Sequence, residues 1–482
     1  MLASFLIFVP IVGALLVWLL PWRGARQAGG FALLVALGEV ALWIGVVSNF
    51  DYGVSGLQYD TTAVWFQDLG VSYKVGLYDW SLWLVGLTVG VIAIATAYGL
   101  WAGRERPRAY FGLMLLLMGA TVGVFTAQDL LLFYVFYEAM LIPLYVLMGV
   151  WGGPNRSVAT IRFVIYTMVG SLLMLVAIVA FGLQQGTFDL TRMGTSGSLV
   201  IFLGFSVAFS IKAPLWPFHG WLPDAYRQAP PEISAVLSGV ISKTAAYGFL
   251  RIAIPSFPDP VSDLRVTILT LASIGLVYGS LLAFRQPDFR GVVAYSSLAQ
   301  MCLIVIGLFA VNDSGLNGAL LQMVNHGLIS AALFLLAGCV EMRTATGEFS
   351  QLGGMARGRP ILATILITTG VIALAVPGSS AFAAEFLVLN GIFTVGWGWA
   401  VVGAIAIVLA AMYMLRAISA ALHEEKGPAV HDRHRDLRPV EVSLLVPLVA
   451  VLLLLSFWPA GVTDHSFSGE PAVSVTSRFE RP

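Results

Sequence analysis

The sequence predicts an all-α, polytopic membrane protein of about fourteen transmembrane helices. Three observations carry this reading. Of 482 residues, 58% are hydrophobic and only 11% are charged, against roughly 25% charged in a soluble protein. Mean hydropathy is +0.87. Apolar runs near the ~20 residues that a bilayer requires recur along the chain. A surface this apolar needs lipid as its solvent, which excludes a soluble enzyme and a disordered regulator. Lys+Arg and Asp+Glu are both 26, so no net field exists to draw nucleic acid.

In chain order the runs cover Leu2–Leu20, Gly30–Val47, Trp80–Trp101, Ala109–Phe125, Asp129–Trp151, Ile161–Gln184 and Leu199–Trp221. They continue with Glu232–Ile254, Leu264–Arg285, Arg290–Ala310, Leu316–Val340, Pro360–Val395, Trp399–Leu422 and Glu441–Pro459. The first run is not followed by a small-residue cleavage site, so it is read as a retained helix. The longest pieces outside these runs are about Ser48–Asp79, Leu422–Val440 and the tail after Pro459. None has the length or the Gly-rich signature of a nucleotide domain, and the whole of 1–482 reads as one membrane domain.

Loop charge orients this topology. Arg23, Arg26, Arg104, Arg106, Arg108, Arg156, Arg162, Arg227, Arg285, Arg290, Arg343, Arg357, Arg359, Arg416, Lys426, Arg433, Arg435 and Arg438 all fall on odd-numbered connections. Even-numbered connections hold only Lys74, Arg192 and Arg265. Cytoplasmic loops are the basic ones, so both termini are expected outside the cytoplasm.

The helix order contains a repeat. The fourth to eighth runs (109–254) form one block of five and the ninth to thirteenth (264–422) another. Five is odd, so the second block enters the membrane inverted, as in many transporters. The seventh run is interrupted by Pro214, Pro217 and Pro223, and the twelfth by Pro377-Gly378. Each is the fourth helix of its block. Such breaks survive at membrane depth only when buried or lining a wet cavity.

The charges within the runs point to chemistry. Of four lysines, Lys212 and Lys243 are intramembrane, joined by Glu39, Glu138 and Glu385 and by His326. A central charge costs about 2.5–3.5 kcal/mol and usually marks a pathway or a pair. Lys212, Lys243, Glu138 and His326 lie near mid-run on four helices, as a lateral proton relay would. Each has a plainer reading. Glu138 and Lys212 could be a static ion pair holding two helices. Lys243 could snorkel, but lies too far from either end of its run. A lone buried His326 could simply satisfy a carbonyl. Glu39 belongs to neither block and is expected to pair locally or to face a partner subunit. Asp129 is expected at the interface. Arg251, two turns beyond Lys243, could extend the relay or anchor the helix end. His219 and Asp224 follow the break in the seventh run, where water could reach them. Glu385 could release protons or merely cap the half-helix after Pro377-Gly378.

Burial favours a neutral amine, while a nearby carboxylate favours the ammonium. At 4 Å and an effective dielectric near 20, that attraction is about 4 kcal/mol, against about 2.3 kcal/mol for moving one charge through 100 mV. Opening and closing one Glu–Lys pair could therefore drive a proton uphill. Cys302 and Cys339 are the only cysteines, both in apolar runs without His or Cys at ligand spacing. They are expected to be packed thiols, with no metal or redox cofactor bound to this chain.

The segment Tyr137-Glu138-Ala139-Met140-Leu141-Ile142-Pro143-Leu144-Tyr145, followed by Gly149-Val150-Trp151-Gly152, resembles the fifth-helix motif of subunit M of bacterial respiratory complex I. The run from Ile211-Lys212-Ala213-Pro214 through Trp216-Pro217-Phe218-His219 to Pro223-Asp224-Ala225 is similar to the seventh-helix motif of antiporter-like subunits. Asn325-His326-Gly327 with Phe334 and Gly338, and Pro377-Gly378 with Glu385-Phe386, resemble further family segments. The resemblance implies a fourteen-helix antiporter-like fold in the bacterial inner membrane, beside other membrane-arm subunits. It also implies a redox arm that carries NADH, FMN, iron–sulfur clusters and quinone in other subunits. Glu138 and Lys212 would be the central pair, Lys243 the connecting lysine and Glu385 the charged group of the second half. The chain departs from the family at Gln300, often histidine, and at Ser379-Ser380-Ala381 and Ala229-Pro230-Pro231-Glu232-Ile233. Two other functions fit the same residues: a subunit of a multi-subunit cation/proton antiporter without a redox partner, and a non-transporting scaffold.

Overall fold

A computed structural model of the chain describes residues 1–467 apart from Arg23, Ser55 and Asp432. Arg23 of the loop-charge pattern and most of the tail after Pro459 therefore lie outside the described residues. The rest is mainly helical. Among the described residues, twelve helices are long and apolar enough to cross a bilayer. In order, α1 is Leu2–Leu19, α2 Ala25–Ser48, α3 Asp79–Ala102 and α4 Pro107–Thr126. The fifth run is one span in two pieces, α5 Leu130–Ala139 and α6 Leu141–Trp151. Then come α7 Arg156–Gln185, the shorter α8 Leu199–Lys212 and α9 Leu222–Gln228. The remaining spans are α10 Pro231–Ser256, α11 Pro258–Arg285, α12 Phe289–Ala310 and α13 Asp313–Thr344. Two short apolar helices follow, α14 Pro360–Ala373 and α15 Ser380–Val395, before α16 Trp397–Leu422 and α17 Pro439–Phe457.

The breaks have local causes. Pro143 has no N–H for the Ala139 carbonyl, and its ring collides with it, so the fifth span divides at Met140. Pro214 biases Ala213 away from helical backbone, and α8 stops at Lys212. The predicted seventh run through Trp221 is thus a 14-residue helix followed by irregular backbone and a short turn, Phe218–Trp221. The predicted run Pro360–Val395 stops at Ala373 and restarts at Ser380. Gly378 between them has φ +93°, which favours glycine.

A purely helical chain was predicted, and here the structure differs. Residues of the expected extramembrane piece form an antiparallel hairpin, β1 Gln58–Phe66 and β2 Val71–Leu77. Their alternation is short and lies among turn residues, so helix-length apolar patterning overlooks it.

The chain divides into two compact units. The first comprises Met1–Ala213, Val240–Thr267 and the segment from Asp464. In it the hairpin is fastened to loops between helices. Lys74 accepts Gln128 N–H at its carbonyl, 2.8 Å, and its ammonium donates to both Asp189 carboxylate oxygens at 2.8 and 3.0 Å. Asp129 caps α5 through Leu131 and Leu132 N–H and accepts Ser72 N–H from β2. Expected at the interface, it is in fact fully buried beneath the hairpin.

The second unit comprises Pro214–Gly239 and Ile268–Thr463. Its centre is α13, buried across its membrane window. A Cβ at Gly318 would lie 2.6 Å from Val388 N, so only glycine lets α13 approach the α15 backbone this closely. Ion pairs hold the loop ends: Arg227 with Asp288 at 2.6 Å, Arg343 with Glu441 at 2.6 Å, and Arg290 with Glu341. Cys302 and Cys339 are buried free thiols.

Lys74→Met should loosen the hairpin. It leaves a largely buried carboxylate without its ammonium, a loss of about 1–3 kcal/mol. Burial pushes the Asp189 carboxyl up, but donation from Lys74 and Thr191 outweighs it and holds the group below the usual carboxylate range. The lowered value sets the sign: this stabilisation is full above an unfolded pKa of about 3.9 and is lost as pH falls through the folded one. Hydrogen-exchange protection at Val71–Leu77, taken relative to the intrinsic rate at each pH, should therefore fall in acid in the native chain. In Lys74→Met it should already be low near neutral pH. Equal exchange in the two proteins there would refute the clamp.

Candidate functional site

The sequence-predicted residues fall into two clusters, one in each unit. In the first, Lys212 ends α8 and is 4% exposed. Its Nζ donates to the Tyr137 carbonyl at 3.2 Å and sits 3.7 Å from the centroid of the Tyr137 ring. That carbonyl belongs to the last turn of α5, ahead of the Pro143 break, where helix C-termini carry partial negative charge. Glu138 adjoins Tyr137 and acts on the ammonium through its charge, yet among the described residues the two form no ion pair. Glu138 is only half-buried. The static ion pair is thus replaced by a carbonyl-and-ring cradle with the carboxylate beyond contact. Consecutive residues on a helix point in different directions, so Tyr137 and Glu138 cannot both face Lys212.

Lys243 is fully buried on α10, its Nζ 3.4 Å from Ser242 Oγ. Snorkelling is therefore not its role. Wide π-helical turns flank it, Leu237–Ile241 and Phe249–Ala253. Such turns cluster at functional sites, and no residue pattern in the run announces them. Phe249 meets Phe209 of α8 edge-on at 5.4 Å, and Tyr247 donates to the Phe125 carbonyl at 3.1 Å. Arg251 donates to Gln128 Oε1 at 2.8 and 3.2 Å and lies over the Tyr78 ring. These contacts tie the end of α10 to the segment before α5, as the anchor reading expects. Glu39 is fully buried, and neither carboxylate oxygen has a hydrogen-bond partner. The expectation of local pairing or outward exposure fails, because α2 turns this residue inward.

In the second unit, Glu385 stands in the second turn of α15 and is 1% exposed. It is not the helix cap. Ser379 holds that place, accepting Phe382 N–H at 3.2 Å. Glu385 Oε1 accepts Gln300 Nε2 at 3.1 Å, and Gln300 Oε1 accepts Gln322 Nε2 at 2.6 Å. Asn325 donates to the Ser380 carbonyl at 2.8 Å, and Ser456 Oγ accepts Ser380 N–H. Ser379 and Ser456 thus satisfy two of the free N–H groups at the start of the broken helix. His326 follows Asn325 on α13 and is 4% exposed. His219 and Asp224 lie apart in the loop and in α9. His219 meets Tyr278 edge-on at 5.2 Å, and His219 and Asp224 are half-buried.

Sequence reasoning missed Tyr137 as the partner of Lys212, and Gln322 and Asn325 as partners on α13. The last two were legible: Gln322, Asn325 and His326, three and four residues apart, share one face of an otherwise apolar helix. Among the described residues, no three His, Cys, Asp or Glu side chains gather as a metal site.

Residues 127–410, which hold Glu138, Lys212, Lys243, His326 and Glu385, match the family model described as NADH:quinone oxidoreductase/Mrp antiporter, TM. NADH-quinone oxidoreductase subunit M of Rickettsia prowazekii is 34% identical, with 96% of each chain covered. The chain belongs to the NADH-quinone oxidoreductase subunit M family. In three dimensions it is similar to a chain of respiratory complex I from Thermus thermophilus with bound NADH. There the TM-score is 0.89 and identity 29%, with 99% of both chains covered. The fold also recurs in the Mrp complex from Dietzia sp., with TM-score 0.89, 21% identity and 99% and 97% of the two chains covered.

Tyr137 offers a direct test of the cradle. Tyr137→Leu removes a desolvated cation–π contact of about 2 kcal/mol and should lower coupled turnover about tenfold in an assembled complex. Tyr137→Phe should be close to native, because the ring and carbonyl remain and the buried hydroxyl has no partner to lose. Equal effects of the two substitutions, measured in sealed vesicles, would reject the ring contact.

Proposed function

We propose that this chain carries protons across a bacterial inner membrane as a membrane-arm subunit of a complex I-like NADH:quinone oxidoreductase. Membership of the subunit M family supports the assembly, and the buried Lys212, which forms no ion pair among the described residues, and Glu385, with one oxygen unpartnered, support the transport. Protons enter near Lys212 from the cytoplasmic side, pass Lys243 and His326, and leave at Glu385. His219 and Asp224, beyond the break after α8, are secondary candidates for the relay, placed where water could reach them.

Lys212 is suited to a switch because its cradle is neutral. The Tyr137 carbonyl and ring hold the ammonium without a fixed counter-charge, so Glu138 modulates it from a distance instead of locking it. Glu385 is suited to exit because its carboxylate has one donor and one untied oxygen. The fourteen-segment reading counts the twelve long spans, α8 with the irregular backbone after it, and α14 with α15 as one broken segment. In this reading 109–254 and 264–422 are inverted repeats and both termini are non-cytoplasmic. NADH, FMN, iron–sulfur clusters and quinone belong to other subunits, with this chain supplying proton-carrying groups alone. Its partners are the neighbouring antiporter-like subunits, the redox arm and lipid.

Glu138→Gln should cut coupled turnover at least tenfold while the complex assembles. Glu138→Asp should be milder, since it keeps the charge at shorter reach. Near-normal proton uptake by sealed vesicles carrying Glu138→Gln would refute the role of Glu138. Glu385→Gln should abolish proton yield per electron in an assembled complex. Normal yield would remove the exit assignment.

A further inference from the structure

Among the described residues, four of the second unit's buried oxygens without a hydrogen-bond partner belong to side chains linked to Glu385: Glu385 Oε2, Gln322 Oε1, Asn325 Oδ1 and Ser380 Oγ. Their residues form a closed circuit. Glu385 joins Gln300, Gln300 joins Gln322, Gln322 and Asn325 are one turn apart on α13, and Asn325 joins Ser380. Ser380 and Glu385 then share α15. Gln322, Asn325 and Glu385 are at most 1% exposed and Gln300 is 8%.

The two amides of this circuit have a direction. Gln322 Nε2 occupies Gln300 Oε1, so Gln300 can present only its Nε2 to Glu385. A glutamine side chain neither gains nor loses a proton in this range, so position 300 cannot pass a proton on. It can only donate a hydrogen bond, and donation to a carboxylate favours the ionised form. The polarised Gln322–Gln300 chain strengthens that donation. Since Oε1 is thereby tied, Oε2 is the oxygen left to exchange. Buried acceptors without a protein donor call for water, and the untied oxygens of Asn325 and Ser380 belong to the same circuit.

We propose that Gln300, oriented by Gln322, is a positioning residue that poises Glu385 to release its proton from Oε2 to water. In that step the Oε2–H bond breaks, its electron pair stays on the carboxylate, and the proton passes to water. This rests on the exit role given to Glu385 above. Gln300 touches neither a substrate nor the moving proton and acts only through Glu385.

The test uses the assembled complex in sealed vesicles and reads protons delivered per electron. Gln300→Met keeps the volume but removes the donor and should lower delivery about tenfold, the worth of a hydrogen bond to a charged group. Gln300→His restores one donor and one acceptor and should recover most of the delivery. A filling role would give the opposite order, because methionine matches glutamine in shape. Native delivery in Gln300→Met, or no recovery in Gln300→His, overturns the proposal. If Gln300→Met prevents assembly, Gln322→Met replaces it. That change frees the Gln300 amide to turn and should lower delivery about threefold; unchanged delivery there overturns the proposal too. Glu385→Gln, measured alongside, separates the two readings. Native delivery in that variant removes the exit role itself, whereas lost delivery there with native delivery in Gln300→Met removes only the role of Gln300.

Discussion

A backbone broken in an apolar medium must find partners for its freed polar groups, and the functional part of this chain depends on how it does so. Lipid offers no hydrogen bonds, so each interruption has to be answered by a side chain or by water. At the Pro143 break the answer at the Tyr137 carbonyl is the Lys212 ammonium. At the break after Pro377 it comes from Ser379 and Ser456, which accept the N–H groups of Phe382 and Ser380. Helix interruption and buried polarity are therefore one feature. The prolines open backbone where charge is later found, and the charge makes the opening tolerable.

The two units meet this constraint with different chemistry. In the first, a cation rests on a carbonyl and an aromatic face, with its natural counter-ion held beyond contact. In the second, a carboxylate rests on one amide, itself fixed by another. Both arrangements stabilise a charge without neutralising it. A buried ion pair would give up this property: breaking a close pair typically costs about 3–5 kcal/mol, which is more than a membrane potential of 100 mV supplies per charge. Neutral partners keep the energy gap between charged and uncharged states small enough for a distant event to reverse.

Much of this was legible in the residues. Apolar runs located the helices, because lipid imposes length and composition together. The breaks at 214 and 377 were visible because proline and glycine act locally. Lys243, Lys212 and Glu385 stood out because charge inside such runs is rare. What escaped was whatever depends on direction. The period of the fifth run cannot tell that Tyr137, and not Glu138, faces Lys212, since a proline break resets the helix phase. The π-helical turns beside Lys243 carry no marker residue, and the hairpin's alternation is too short to compete with helical runs on either side. Arg251 was ambiguous because an arginine at a helix end anchors as readily as it conducts, and Asp129 was expected at the interface because it begins the fifth run. Their contacts with Gln128 and Ser72 join residues distant in sequence, which no local pattern announces.

Gln300 shows how an uncharged residue can matter to a charge pathway. By itself it would pass as one more buried polar group satisfied by a neighbour. Its significance comes from order: Gln322 fixes the acceptor end, so the donor end has no choice of partner. The same amide without Gln322 could turn over and offer its oxygen, which a carboxylate would repel. Direction is thus imposed one residue away from the group that benefits. The backbone contact at Gly318, which lets α13 approach α15, keeps that neighbouring residue in reach. Close helix packing in this unit is therefore a condition for the electrostatics of Glu385, and the smallest side chain in the span helps to position the one that carries the charge.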